Sequence, residues 1–348
     1  MISKSTFEIE HIKELQAEYK NDIHQLERTL YAFGLLEAIS KTGLPFIFKG
    51  GTCLMLLLKQ PMRISTDIDI VVPRGTDIDD YIQKAGHIFP FFHVEETNRK
   101  SEISIAKKHF KFLYISPTKG TEITVLLDVL FEENHYTTTL KKSLENKLLL
   151  CEEKNEIITV PSINCILGDK LTAFAPHTVG KSIEKYDLEI IKQLFDCATL
   201  MKEMDDFSEV KDTYNKIVKT ETGYRNNEFS RLDVLKDTIF SCANIVSKGF
   251  IDSKDFAVYN RGIEAIRTHI FGAKYGVEKA ALDAGRVMYL ASCVLCDAEE
   301  VVEITDFAPY QKNEIEYPEL KNLSKVRKAY REAYAYSMAT LENCKGIL

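Results

Sequence analysis

The chain has 348 residues, 45% of them hydrophobic, with a formal net charge of −7 and a pI near 5.7. That length accommodates two modest domains, and the acidic balance excludes nucleic-acid binding through bulk positive charge while leaving room for a local basic patch. No run of eighteen apolar residues occurs, which excludes a membrane-spanning helix.

The polar N-terminus lacks the apolar centre of a secretory signal. The eight cysteines are scattered without zinc-type spacing. Cys293 and Cys296 form the one C-x-x-C, inside an apolar helical run, and read as buried thiols. A cytoplasmic, reducing location is the expectation.

In chain order, residues 5–42 carry helical periodicity that ends at Gly43-Leu44-Pro45. Residues 46–48 predict a short strand, and Gly50-Gly51 opens a helix through Leu58, broken at Gln60-Pro61. Residues 65–73 read as a strand and 77–89 as an amphipathic helix. Residues 107–116 and 122–131 alternate apolar and polar around Pro117–Gly120, a hairpin pattern. Residues 147–151 and 156–160 predict a further strand pair.

Ser162 is placed to cap a helix to Phe174. A turn-rich loop, 175–181, leads to a helix over 183–204. Beyond Asp205 the pattern is helical almost throughout, with breaks near Gly223, Gly249, Gly272–Gly276 and Pro309–Pro318. The expected architecture is α+β: a mixed-sheet domain with helices over 1–205, then an all-α domain over 206–348.

The chemistry concentrates between Phe48 and Val72. A glycine pair, Gly50 and Gly51, follows the first strand, and Asp67 and Asp69 alternate with Ile68 and Ile70. Residues two apart on a strand point to one side, so both carboxylates project together while the isoleucines face the core. Two hard oxygen ligands on one strand form a Mg²⁺ site that phosphate oxygens would complete. Glycines at a helix start let the backbone approach a phosphate. Asp-x-Asp alone is common on solvent-facing strands; the upstream glycine pair and the apolar neighbours favour the functional reading. Asp128, alone in the apolar run Val125–Phe131, is the candidate third carboxylate, because a lone charge there needs a cation or donors. The bland alternative is a residue facing solvent near a sheet edge.

This pattern resembles the nucleotidyltransferase superfamily signature. Lys49-Gly50-Gly51-Thr52, with Arg63, Ser65, Asp67 and Asp69 in an Arg-x-Ser-x-Asp-x-Asp run, resembles more narrowly the AbiEii/AbiGii toxin family. The resemblance covers about residues 40–205 and implies a nucleotidyltransferase-like mixed sheet. It implies that Asp67, Asp69 and Asp128 hold two Mg²⁺ ions, that an NTP is the substrate, and that Lys49, Gly50, Gly51, Thr52, Arg63 and Ser65 line the nucleotide site.

The family also carries a lysine on the helix after the sheet and an aspartate about one helix later. Lys170 matches the first and Asp196 the second, with Asp187 as the runner-up. The resemblance gives Lys170 a triphosphate-neutralising role. Read by itself, a helical lysine is a solvated one, and Asp196 is a residue that ion-pairs two helices, Lys170 being one candidate partner. His177 and Thr178, in the loop after Lys170, either fold over the nucleotide or belong to a plain connector.

The function this implies is transfer of an NMP from an NTP to a hydroxyl acceptor. The resemblance further implies a toxin of an abortive-infection or toxin–antitoxin pair, with tRNA as acceptor and an antitoxin as partner. Lys321, Lys325, Arg327, Lys328 and Arg331, with Tyr330, Tyr334 and Tyr336 interleaved, would form a helix that tracks RNA. A solvated helix face is the competing meaning. Two rival functions stand beside this one. The first is a small-molecule nucleotidyltransferase of the antibiotic-modifying type, which the acidic charge favours. The second is a catalytically silent binding protein of the same fold, against which the intact carboxylate set argues.

Overall fold

The computed structural model describes residues 1–97, 106–272, 274–312 and 314–348. Two compact units result, Met1–Ser162 with Thr268–Ala273, and Ile163–Arg267 with Lys274–Leu348. The division falls at Ser162 and not near residue 205. Helix α5 (Ile163–Ala173) belongs to the second unit because it packs against α7 (Phe207–Gly223). Gly168 permits that approach: a Cβ there would sit 2.7 Å from the Val210 carbonyl oxygen. Helix periodicity shows which face is apolar but not which later helix receives it.

In the first unit, helices α1 (Ile9–Tyr19) and α2 (Ile23–Lys41) precede β1 (Ile47–Lys49) and α3 (Gly50–Leu57). Asp22 caps α2 by accepting from the His24 and Gln25 amides, each at 3.0 Å. There follow β2 (Ile68–Val72), α4 (Asp79–Ala85), β3 (His93–Glu96), β4 (Lys107–Ile115), β5 (Glu122–Phe131), β6 (Thr139–Ser143) and β7 (Ile157–Pro161). Among the described residues the main sheet has five strands in the order β1-β2-β5-β4-β3, with β2 and β5 parallel and the other pairs antiparallel.

One face of this sheet is the core. Phe48, Ile68, Ile70, Phe110, Phe112, Tyr114, Val125 and Leu127 are buried on it, and Tyr31 of α2 stacks on Tyr114 at 3.6 Å between ring centroids. Glu27 of α2 is also buried there. Its carboxylate accepts from the Tyr114 and Ser116 hydroxyls at 3.0 Å each and from the Thr118 amide at 3.3 Å, and from the Thr118 hydroxyl as well. Four donors replace the water that this charge has lost, and they tie the β4–β5 turn to α2. The opposite face, by strand alternation, carries the polar residues of the site.

The second strand pair differs from the sequence expectation. β7 lies where predicted, but its partner is β6, and residues 147–150 form no strand. Their carbonyls turn to the N-terminal segment: Leu148 O meets His11 Nε2 at 2.9 Å, and Leu150 O accepts from Ser3 N at 2.7 Å. An apolar run satisfied by another segment looks the same in sequence as a strand.

The second unit continues through α6 (Asp187–Leu200), α7, α8 (Arg231–Val246), α9 (Ser253–Ala265), α10 (Val277–Leu295) and α11 (Arg331–Asn343). Ser230 and Asp233 form a reciprocal capping box on α8. The expected helix over 321–336 is instead two elements, a 3₁₀ segment at Pro318–Val326 and α11 from Arg331. Tyr334 and Tyr336 are buried, because α11 packs its apolar face on α10, so they are not available to stack on bases. Ala273 and Asn313, within the breaks predicted at Gly272–Gly276 and Pro309–Pro318, lie outside the described residues. Cys293 is buried as expected and Cys296 half-buried, and both are free thiols. Among the described residues no helix is long and apolar enough to cross a membrane.

Candidate active site

Strand register assembles the site in the first unit. Lys49 pairs with Asp69 across β1–β2, Asp69 with Asp128 across β2–β5, and Asp128 with His109 across β5–β4. Four polar side chains therefore form one row across four adjacent strands, on the face opposite α2. Neighbouring strands lie about 4.8 Å apart, so the Asp69 and Asp128 carboxylates are immediate neighbours. At the far end of the row His109 Nδ1 lies 2.7 Å from Asp128 Oδ1. At the near end Lys49 Nζ sits 5.8 Å from the centre of the Tyr136 ring.

The glycine pair closes around these side chains. Gly50 has φ +82°, and a Cβ there would fall 2.1 Å from Asp69 Oδ2. Only glycine fits that backbone against that carboxylate. A Cβ on Gly51 would fall 2.7 Å from both Arg63 Nη2 and Ser65 Oγ. The start of α3 is thus pressed against Asp69, Arg63 and Ser65 together.

The intervening segment is held by backbone contacts. Thr52 Oγ1 donates to Asp67 O at 2.6 Å and Thr29 Oγ1 to Ser65 O at 3.1 Å. Arg63 is buried, donates from Nη1 to Ile64 O at 3.1 Å, and bridges to Ile270. The Ile64 amide donates to His269 O at 2.6 Å. A segment some two hundred residues downstream thus braces the loop bearing Arg63 and Ser65, a contact no local motif reveals.

Asp67 is exposed and precedes β2, two residues before Asp69, while Ile68 and Ile70 are buried between and beyond the two. Among the described residues no group of three or more His, Cys, Asp or Glu side chains is arranged to hold a metal ion by itself. The donor set fits a different kind of site. Magnesium at nucleotides is bound by one or two carboxylates plus substrate phosphates. The register pair Asp69 and Asp128, with Asp69 against the start of α3, matches that requirement.

Lys170 and Asp196 lie in the second unit and meet there. Lys170 Nζ is 3.0 Å from Asp196 Oδ2 and donates to Gln193 Oε1 at 3.0 Å. Lys170 is 8% exposed and Asp196 1%. The pair joins α5 to α6 as a buried ion pair. Asp187, the runner-up, instead faces Arg261, with Oδ2 3.3 Å from Nε.

The loop after α5 is pinned within its own unit. Asp237 Oδ2 accepts from the His177 amide at 2.8 Å and from Thr178 Oγ1 at 2.9 Å. His177 Nε2 lies 3.0 Å from Asp255 Oδ2. Burial pushes the Asp237 carboxyl above the usual carboxylate range, against the pull of His177, Thr178 and Ser241. His177 is thus engaged with both α8 and α9, and Thr178 with α8.

Of the basic cluster, Lys321, Lys325, Lys328 and Arg331 are exposed. Lys325 Nζ lies 4.7 Å from the Phe250 ring and Lys248 Nζ 4.6 Å from the Tyr330 ring. The surface therefore gains Lys248 and the half-exposed Phe250 where it loses Tyr334 and Tyr336.

A family model described as the nucleotidyl transferase AbiEii toxin of the type IV toxin–antitoxin system matches residues 34–258, well over half of the chain. The chain belongs to the AbiEii family. The matched span holds every site residue from Lys49 to Asp196. Among solved structures the chain is similar to JHP933 from Helicobacter pylori, with 16% identity, 76% of this chain and 92% of that one covered, and a TM-score of 0.42. It is also similar to an antigenic nucleotidyltransferase-like protein from Paracoccidioides brasiliensis, with 14% identity, coverage of 57% and 91%, and a TM-score of 0.37. No protein of curated function matches the sequence.

AbiEii membership assigns the chain to a family of nucleotidyl transferases that act as type IV toxins, partnered by antitoxins. No local sequence motif marks His109. The signal is the hairpin register: counting seven pairs back from Ser116 and Thr121 meets His109 and Asp128.

The Gly50 cradle yields a direct test. Gly50→Ala is expected to displace the Asp69 carboxylate, since the new methyl cannot occupy the space of Oδ2. The left-handed backbone adds a cost of about 1–2 kcal/mol. The expected result is a modest drop in melting temperature and a loss of transfer on the order of 100-fold. Normal activity in Gly50→Ala would show that the Asp69 position is not critical.

Proposed function

We propose that this protein transfers an NMP from an NTP to a hydroxyl acceptor, with divalent metal held by Asp69 and Asp128 and extended by Asp67. The observation that carries this reading is the register pair Asp69–Asp128, with Asp69 packed against Gly50 at the start of α3. Metal bound there supplies charge neutralisation on the triphosphate. The chain's own residues would do the rest. Gly50 and Gly51 let the start of α3 close on Asp69, Arg63 and Ser65, and the first α3 amides beside the Asp69 carboxylate would meet a phosphate. Arg63 and Lys49 add positive charge beside it, and Ser65 and Thr52 keep the loop in place. Catalysis of this kind is mainly positioning and electrostatic stabilisation.

The acceptor proposed is RNA, specifically tRNA, on the resemblance stated above and on the exposed cations Lys321, Lys325, Lys328 and Arg331. A cognate antitoxin is the proposed protein partner. The net charge of −7 favours a second reading, a small-molecule acceptor. Purified protein incubated with Mg²⁺, each α-labelled NTP and total cellular RNA separates the two. Label in the tRNA band supports the first. Label appearing only when a small-molecule extract replaces the RNA supports the second. No label in either, with any NTP, overturns the transferase reading.

A further inference from the structure

We propose that His109 is a positioning residue that sets the Asp128 carboxylate for the metal–nucleotide site. The inference rests on the reading of Asp69 and Asp128 as the metal-holding pair and goes beyond it in naming what orients the second member.

Three observations carry it. The first is distance: His109 Nδ1 lies 2.7 Å from Asp128 Oδ1, a short contact for a nitrogen donor on oxygen. A carboxylate only accepts, so Nδ1 is the donor. The second is how the contact is held. His109 and Asp128 are direct partners in the β4–β5 ladder. Their approach is therefore set by backbone hydrogen bonds and not by the rotamer of a long surface side chain. Neither strand is at the sheet edge, since β4 lies between β5 and β3, so both backbones are braced on two sides.

The third observation is the place in the row. Asp69 and Asp128 are like charges side by side, an arrangement that repels and would drive the carboxylates to rotate apart. The imidazole engages Asp128 from the side away from Asp69 and holds one oxygen. It thereby sets the plane of the carboxyl group and opposes that rotation. His109 is mostly buried, with a side chain 16% exposed against 34% for Asp128, so water competes little for the contact. Carboxylates that bind metals are commonly held by such an outer partner, and loss of the partner lowers metal affinity about 10- to 100-fold.

Two isosteric variants separate positioning from mere packing. In His109→Asn the amide nitrogen takes the place of Nδ1. In His109→Gln it takes the place of Nε2, one carbon too far. Both are polar and of similar size. The probe is Mn²⁺ with each α,β-methylene NTP analogue in turn, whose phosphates complete the site, and Mn²⁺ bound to the full-length protein is measured by equilibrium dialysis. Melting temperature in EDTA reports the fold.

His109→Asn is expected to bind Mn²⁺ within about threefold of wild type, and His109→Gln and His109→Ala about 10- to 100-fold more weakly. The Asn and Gln variants should melt together in EDTA. Equal Mn²⁺ affinity in the Asn, Gln and wild-type proteins overturns the proposal, and so does equal weakening in Asn and Gln. Asp128→Asn is measured alongside. If it weakens Mn²⁺ binding and His109→Gln does not, the positioning role alone falls. If Asp128→Asn binds Mn²⁺ as wild type does, or wild type binds none, the metal reading falls and this inference with it.

Discussion

Asp69→Asn is expected to abolish nucleotidyl transfer and to leave the fold as stable as before, or slightly more so. Asp69 sits at the centre of the row, beside Lys49, directly across from Asp128, and against the Gly50 backbone. Its removal takes away one of two adjacent carboxylates in the proposed metal site. Stabilisation by a bound metal amounts to several kcal/mol in the transition state, and each 1.36 kcal/mol is a factor of ten in rate. The expected loss in kcat/KM is on the order of 1,000-fold or more.

Stability should move the other way. Without metal, two carboxylates on register partners repel, and neutralising one relieves that repulsion. The variant is isosteric, so the Gly50 contact keeps its shape. Single-turnover transfer from labelled NTP, together with thermal melting in EDTA, checks both halves. Transfer within tenfold of wild type would remove Asp69 from the chemistry, and a large drop in melting temperature would make it a structural residue.

The site was legible in proportion to how local its determinants are. Gly50, Gly51, Asp67 and Asp69 lie within one strand–helix–strand unit, and alternation alone places the carboxylates opposite the buried isoleucines. Asp128 stood out because a charge in an apolar strand requires a reason. His109 was equally available through the hairpin register, but a histidine between lysines gives no compositional signal. The brace on Arg63 from Ile270 and His269 could not be read at all, because its partner is set by the path of the chain between the two units. The same limit explains the missed β6, a polar strand whose pairing with β7 is tertiary. It explains the misplaced boundary too, since α5 and α6 look alike whichever unit they join. The basic cluster shows the reverse error. Its residues are sequential, but Tyr334 and Tyr336 turn inward on α11, so nearness in sequence did not become a shared surface.

Lys170→Met is expected to destabilise the second unit by about 3–5 kcal/mol, the cost of leaving a buried charge without its partner. Lys170 Nζ is 3.0 Å from Asp196 Oδ2, and Asp196 is almost wholly enclosed. Lys170 Nζ also donates to Gln193 Oε1 at 3.0 Å, so its removal takes away both contacts. For a unit of this size the melting temperature should fall by about 10 °C or more. Asp196→Leu alone should cost a comparable amount, because it strands the ammonium.

The double variant Lys170→Met, Asp196→Leu should recover most of the loss, since a well-packed apolar pair can replace a buried ion pair at little cost. That recovery separates the two readings of Lys170. A lysine that serves the triphosphate contributes to transfer whether or not Asp196 is charged. Under that reading the double variant folds well and still shows a raised KM for NTP. A lysine that only joins α5 to α6 gives a double variant with wild-type kinetics. If instead Lys170→Met melts as wild type does, the ion pair is not holding these helices together, and the phosphate role is the one left to explain why a lysine is buried there.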